Sequence, residues 1–362
     1  MDPLELTREL VAVPSHRGEE CDESAAGQYV EEWLREHTDA AVERDAHGNV
    51  VARKGAGESL AFVGHHDVVP PDESQTGGPG TTGEYVIEER DGRLYGRGTA
   101  DMKGSLAALL CAFRDADPDC ELVVASFAGE EQGGEGCRAA IEDGFAPEYA
   151  VVGEGSTGYS ASGVTDVAVA HKGRRGSTIT AHGTAAHASE PAAGENAIYR
   201  ATDAVDVVRD LPAPATEVLG HRVEGSVAVT EIDGGSAWNV IPERCTVTVD
   251  ERTVPGERAP IERVESLAGV EWTVEQDLPP MACDDPAFAD LVLGAASDAQ
   301  SETPEQVVKP HATDAGWLAS AGTTPVVVGA AEPGEAHTAA ESVSLAVIER
   351  CYEIYRRVAE RL

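Results

Sequence analysis

Leu60-Ala61-Phe62-Val63-Gly64-His65-His66-Asp67-Val68-Val69-Pro70 is the stretch that decides the fold. Four apolar residues in a row, without polar alternation, read as a strand buried on both faces, as in a parallel sheet. The run ends in a glycine, two imidazoles and a carboxylate. The same plan recurs twice. Glu121-Leu122-Val123-Val124-Ala125-Ser126-Phe127 runs into Ala128-Gly129-Glu130-Glu131-Gln132-Gly133-Gly134, and Tyr149-Ala150-Val151-Val152 runs into Gly153-Glu154-Gly155. Helices are expected over 103–116, where Leu106, Leu109, Leu110 and Phe113 recur at helical spacing, and over 135–142. Strands alternating with helices predict an α/β fold: a mixed, mostly parallel sheet with helices on both faces. Ligands of such sheets bind beyond the carboxyl ends of the strands. His65, Asp67, Glu130, Glu131 and Glu154 all fall there.

A further acid stands at another junction, in Tyr95-Gly96-Arg97-Gly98-Thr99-Ala100-Asp101-Met102-Lys103-Gly104. Glycines open backbone conformations to the approach that other residues disfavour. Asp101 then sits where loop turns into helix. By itself this is equally the pattern of an N-capping aspartate after a glycine turn.

Outward from these segments, helices are expected over 3–13 and 20–37, short strands over 40–44 and 50–54, and loop over 71–84, which is rich in Gly, Pro, Ser and Thr. From about residue 171 the texture changes. Strand 177–182, helix 195–209, strands 226–232 and 245–252, a helix near 257–267 and strand 270–275 follow one another. That β-α-β-β-α-β order predicts an inserted ferredoxin-like α+β domain. The α/β pattern resumes with helix 286–299, strand 306–308, helix 313–321, strand 324–328 and helix 342–359. The expected organisation is residues 1–170 and 283–362 as a two-part catalytic domain, with 171–282 as a lid and dimerisation domain.

Lys+Arg total 27 against Asp+Glu 65, a formal charge of −38, and only four of the cations are lysines. A surface this acidic repels nucleic acid and anionic membranes. Apolar segments run the whole length, so the charge is no sign of disorder. It fits a protein working in high salt, where the screening length falls to roughly 3 Å at 1 M; attraction to a basic partner is the alternative. Seven scattered cysteines, odd in number and without a CxxC pair, argue for a reducing compartment and against a thiolate metal site. No signal-like stretch and no long apolar run is present, so a cytoplasmic location is expected.

Oxygen and imidazole donors without thiolate suit zinc, cobalt or manganese. Five acids packed together need a cation to offset their repulsion, and a pair of divalent ions is a known device for hydrolysis. The motifs around His65, Asp101, Glu130-Glu131 and Glu154, with Ala336-His337-Thr338-Ala339-Ala340-Glu341, resemble in content and order those of the M20 metallopeptidase family. That family includes succinyl-diaminopimelate desuccinylases, acetylornithine and acetyl-lysine deacetylases and carboxypeptidase G2. The resemblance covers essentially the whole chain. It implies that His65, Asp101 and Glu154 hold a first metal and that Asp101, Glu131 and His337 hold a second, with Asp101 bridging. It also implies a cis peptide at Asp101–Met102, Asp67 as the carboxylate orienting His65, and Glu130 as general base. His66, next to Asp67, faces the other way along the strand. In the inserted domain, His187 resembles a histidine that steadies the oxyanion in a partner subunit's active site. Asn239 and Arg252 resemble substrate contacts, Arg252 for a carboxylate.

The activity so implied is a metal-dependent amidohydrolase with two divalent ions, zinc foremost and cobalt or manganese as alternatives. It would remove the acyl group from an N-acyl amino acid, working as a homodimer through the inserted domain. A carboxypeptidase or dipeptidase is the alternative within the family. A non-catalytic binding protein of the same fold would lack a ligand or the base, and none is missing. One departure stands out: bacterial desuccinylases carry Gly-Gly-Thr-Ser-Asp where this chain has Pro310-His311-Ala312-Thr313-Asp314.

Overall fold

The computed structural model describes residues 1–18, 21–77 and 85–362. The chain divides into two compact units: Met1–Ala170 with 282–309 and 313–362, and His171–Met281 with 310–312.

In the first unit, the strands that matter are β1 (Ala41–Arg44), β2 (Val50–Lys54), β3 (Ser59–His65), β4 (Glu121–Phe127), β5 (Tyr149–Val152), β6 (Val167–His171) and β7 (Thr324–Val327). They form one sheet in the order β1-β2-β4-β3-β5-β7-β6. The four central strands, β4, β3, β5 and β7, are mutually parallel, while β1, β2 and β6 join antiparallel at the flanks. The apolar runs are buried along their length. Register fixes what lies at the strand ends. His65 pairs with Phe127, and Val63 pairs with Val152, so Glu154 comes level with His65.

Helices α1 (Pro3–Ala12), α2 (Ser24–His37), α3 (Gly104–Asp115), α4 (Glu135–Glu142), α5 (Pro286–Asp298), α6 (Asp314–Ser320) and α7 (Leu345–Ala359) pack in two groups. α3 touches α1, α7 and the central strands, and α7 also touches α5; α4 and α6 pack together, with α6 on β5 and β7. Ten residues of α3 in succession, Gly104 to Phe113, are buried, as expected of a helix covered on all sides.

Some boundaries differ from expectation. α2 begins at Ser24, and residue 20 of the expected span lies outside the described residues, as do 78–84 of the expected loop. Glu73–Gln75 make a short 3-10 turn within it, capped by Asp72. Ser342–Ser344 form a strand against Arg93–Tyr95, so the last helix starts at Leu345. Asp101 lies in a wide turn, Thr99–Lys103, at φ −126° and ψ 97°, and α3 starts only at Gly104. Its side chain therefore caps no helix, which removes the N-cap reading.

The second unit carries strands Ser226–Gly234, Arg244–Arg252, Arg174–His182 and Val270–Leu278, side by side in that order and all antiparallel. In chain order this is 2-3-1-4, the ferredoxin-like arrangement, with helix Ala197–Arg209 packed on it. The helix expected near 257–267 is instead a six-residue 3-10 stretch, Ile261–Ser266. Pro260 and Gly269 bracket it, leaving too few residues for a stable α-helix. A hairpin, Ala215–Val218 with His221–Glu224, was not anticipated.

Candidate metal centre

The carboxyl ends of β3, β4 and β5 open onto one space, and glycines let the chain close around it. Gly64 and Gly153 each stand one residue before a site residue. A Cβ on either would come within 2.7 Å of Met102 Cε, so Met102 fits between the two strand ends only because both lack side chains. The Asp101–Met102 peptide is cis, as the resemblance implied. Gly129, Gly133 and Gly134 all take left-handed conformations around the turn Glu130–Gln132. Only such glycines turn the chain back tightly enough to aim two successive glutamates at one place.

Asp101 lies at the centre. Its Oδ1 is 3.0 Å from His65 Nε2 and its Oδ2 is 3.1 Å from His337 Nε2. His65 Nε2 is also 3.3 Å from Glu154 Oε1, and His337 Nε2 is 2.9 Å from Glu131 Oε1. Two groups of donor atoms result, each within 4.8 Å mutually: His65, Glu130 and Glu154, and Asp101, Glu131 and His337. Glu130 thus lies on the His65 side and Glu131 on the His337 side. His65, Asp67 and Glu154 are buried, whereas His337 is half exposed at 49% and has a left-handed backbone, φ 61°.

Asp67 does two things. Its backbone carbonyl lies 2.9 Å from His65 Nδ1 and its Oδ1 lies 3.4 Å away, so both restrain the ring. Its carboxylate also accepts the backbone N–H groups of Glu130 and Glu131, each at 3.1 Å, which fixes the glutamate turn. His66 points away, its Nδ1 2.9 Å from Ser126 Oγ.

The electrostatics are those of a cage short of positive charge. Burial pushes the Glu130 carboxyl well above its usual range, with repulsion from Asp314, Glu154 and Glu131 adding to it. Burial likewise raises Glu131, and Asp314 is pushed up to about 7. Hydrogen bonds to Asp101 and Glu131 lift His337 to about 10. Burial opposes charge on His65, but bonds to Asp101, Asp67 and Glu154 prevail and hold it well above its usual value. Imidazole nitrogens and carboxylate oxygens, without thiolate and converging in two groups about a shared Asp101, fit two divalent ions.

Sequence reasoning gave no role to three residues here, although Asp314 and Glu341 stand in stretches it singled out. Lys309, buried, places Nζ 3.3 Å from Glu154 Oε2. Asp314 is 3% exposed, and its Oδ1 has no partner among the described residues. Glu341 is fully buried behind Asp101. For Lys309 the available signal was the rarity of lysine in so acidic a chain.

The inserted unit places its three predicted residues at its surface. Ala186–His187 pair with Val240–Ile241, which sets His187 beside the Asn239 segment. His187 is exposed, with Nδ1 2.7 Å from Ser189 Oγ. Arg252 is half-buried and donates from Nε to Asp250 Oδ1 at 2.8 Å.

Residues 61–361 match peptidase family M20/M25/M40, and the chain belongs to that family. It is a hydrolase of the M20 type. An acetylornithine deacetylase of Myxococcus xanthus is 32% identical to it over 349 residues, covering 88% of this chain and 84% of the relative. Among solved structures, aminopeptidase PepT from Bacillus cereus is similar at TM-score 0.77 and 19% identity, covering 99% of this chain and 97% of that one. The Bacillus subtilis YXEP protein, described as a dinuclear metal binding peptidase, is similar at TM-score 0.71 and 16% identity, covering 99% and 96%. At these identities the structures share the fold.

Proposed function

We propose that this chain is a two-cation amidohydrolase that removes the acyl group from an N-acyl amino acid. The observation carrying this reading is Asp101, whose two oxygens face two imidazoles from opposite ends of the chain. His65, Asp101 and Glu154 would hold one divalent ion and Asp101, Glu131 and His337 the other, zinc foremost, with cobalt or manganese as alternatives. Bound there, the ions would polarise the amide carbonyl and ease ionisation of the attacking water. Glu130 accepts the proton from that water and passes it to the departing nitrogen. Asp67 keeps the His65 ring and the glutamate turn in place. His187 would supply a hydrogen bond to the developing oxyanion in a partner subunit's active site, Asn239 would touch the substrate and Arg252 would pair with its carboxylate. A homodimer through that unit fits the exposed Tyr199, Ile232 and Trp238 on its surface. The acidic surface supports work at high salt, and seven unpaired cysteines support a reducing, cytoplasmic setting. No described helix is long and apolar enough to cross a membrane.

The relative's activity makes acetylated ornithine the first substrate to try. Amine release from acetylornithine, acetyl-lysine, succinyl-diaminopimelate and dipeptides, in high KCl with Zn²⁺ or Co²⁺, tests the reading. One of the acylated amino acids is expected to exceed every dipeptide by roughly tenfold or more in kcat/KM. Faster dipeptide turnover would move the chain to the peptidases. No turnover of any substrate, with Glu130→Ala indistinguishable, would refute the proposal.

A further inference from the structure

We infer that Glu341 is the positioning residue that holds the second cation site, and not the first, to its spacing. The inference rests on the two-cation reading. Glu341 is fully buried, and Oε1 accepts the backbone N–H of Ala100 at 3.0 Å and of Asp101 at 3.2 Å. Arg97 donates to its other oxygen. Its backbone carbonyl accepts from Gly96 N–H at 3.1 Å, and Ser342, Val343 and Ser344 pair with Tyr95, Leu94 and Arg93. The segment after His337 is thus laced to the segment before Asp101, and Glu341 is the only rung that reaches Asp101 itself among the described residues.

His65 and Glu154 need none of this. They stand at the ends of β3 and β5, whose ladder fixes their separation. His337 lies on no strand or helix, is half exposed, and holds a left-handed backbone that persists only where the surrounding structure imposes it. Gln75 holds the next carbonyl, Nε2 to Thr338 O at 3.1 Å, but Glu341, four residues on, is the buried anchor that ties this segment to the Asp101 backbone. Without it, the distance from His337 Nε2 to Asp101 Oδ2 loses its tie to the Asp101 backbone, while that from His65 Nε2 to Oδ1 keeps one partner on the sheet.

Glu341→Gln is the informative change. Its amide oxygen could still accept from Ala100 and Asp101, but its NH₂ would meet Arg97, donor against donor. Co²⁺ is titrated into chelator-treated wild type, Glu341→Gln and Glu131→Gln, following bound metal by equilibrium dialysis and the cobalt absorption spectrum; circular dichroism checks the fold. Wild type is expected to bind two ions. In Glu341→Gln one of them should weaken about 10–100-fold, the range for partners that orient metal ligands, while the other stays within about twofold. The remaining cobalt spectrum should match that of Glu131→Gln. Equal weakening of both ions, or of neither, overturns the inference and leaves the two-cation reading standing. Fewer than two ions in wild type overturns both. If Glu341→Gln does not fold, Arg97→Lys reads the same asymmetry through the other carboxylate oxygen, and symmetric loss there overturns the inference equally.

Discussion

Set the strand-end cluster of the first unit beside the three predicted residues of the inserted unit. The cluster is largely buried except at His337 and is over-determined: His65 meets three carboxylates and His337 two, and Asp67 alone ties down one ring and two backbone N–H groups. The side chains of His187 and Arg252, in contrast, bond among the described residues to neighbours two residues away, Ser189 and Asp250, close to solvent. Burial is the reason for the difference. Unpaired charge inside a protein is too costly to leave, so every member of the cluster is held. A surface side chain faces no such demand and stays free to meet a substrate.

The sharpest way to break this contrast is at the shared carboxylate. Asp101→Asn keeps one oxygen and turns the other into a donor facing His337. Both ions should be lost from elemental analysis, with activity down by at least roughly 10³-fold. If one ion remained at wild-type affinity, the two halves of the cluster would be independent. Glu130→Gln is expected to cut kcat by about 10²–10⁴-fold with both ions retained, since it removes proton transfer and no ligand. Loss of an ion there would make Glu130 a ligand, as its nearness to His65 and Glu154 also permits.

On the other side of the comparison, His187→Ala should lower kcat by roughly 10²-fold without altering metal content or thermal stability. Unchanged kcat would leave His187 as a turn residue. The smallest effect on activity, and a direct reading of burial, comes from His66. Burial lowers its pKa from 6.5 to about 4. The unfolded chain therefore binds more protons than the folded one between those values. Stability from this group is complete above pH 6.5 and lost as pH falls to about 4, by roughly 3 kcal/mol. In urea unfolding of the chelated protein, His66→Phe should flatten that acid slope; an unchanged slope would place its origin elsewhere.

Much of the fold was legible because buried parallel strands have a plain signature: β3, β4 and β5 each hold four consecutive apolar residues with a glycine close behind. The segment 257–267 misled because apolar spacing shows that a turn of helix has a face to bury, whereas Pro260 and Gly269 settle how far it can extend. Likewise Ser342–Ser344 reads as the start of α7, and only its pairing with the distant Arg93–Tyr95, Tyr95 opposite Ser342, makes it a strand.

What the sequence determined was the donor set and its placement: which acids and imidazoles follow which strands, and that no thiolate joins them. These are local facts of residue type and period. Only the tertiary structure decided which Asp101 oxygen faces which imidazole, that Glu130 and Glu131 turn to opposite sides, and that Lys309, Asp314 and Glu341 lie buried behind them. Those choices depend on distant pairs, such as Ala100 with Glu341, 241 residues apart, and no periodicity records which distant group will answer a buried charge.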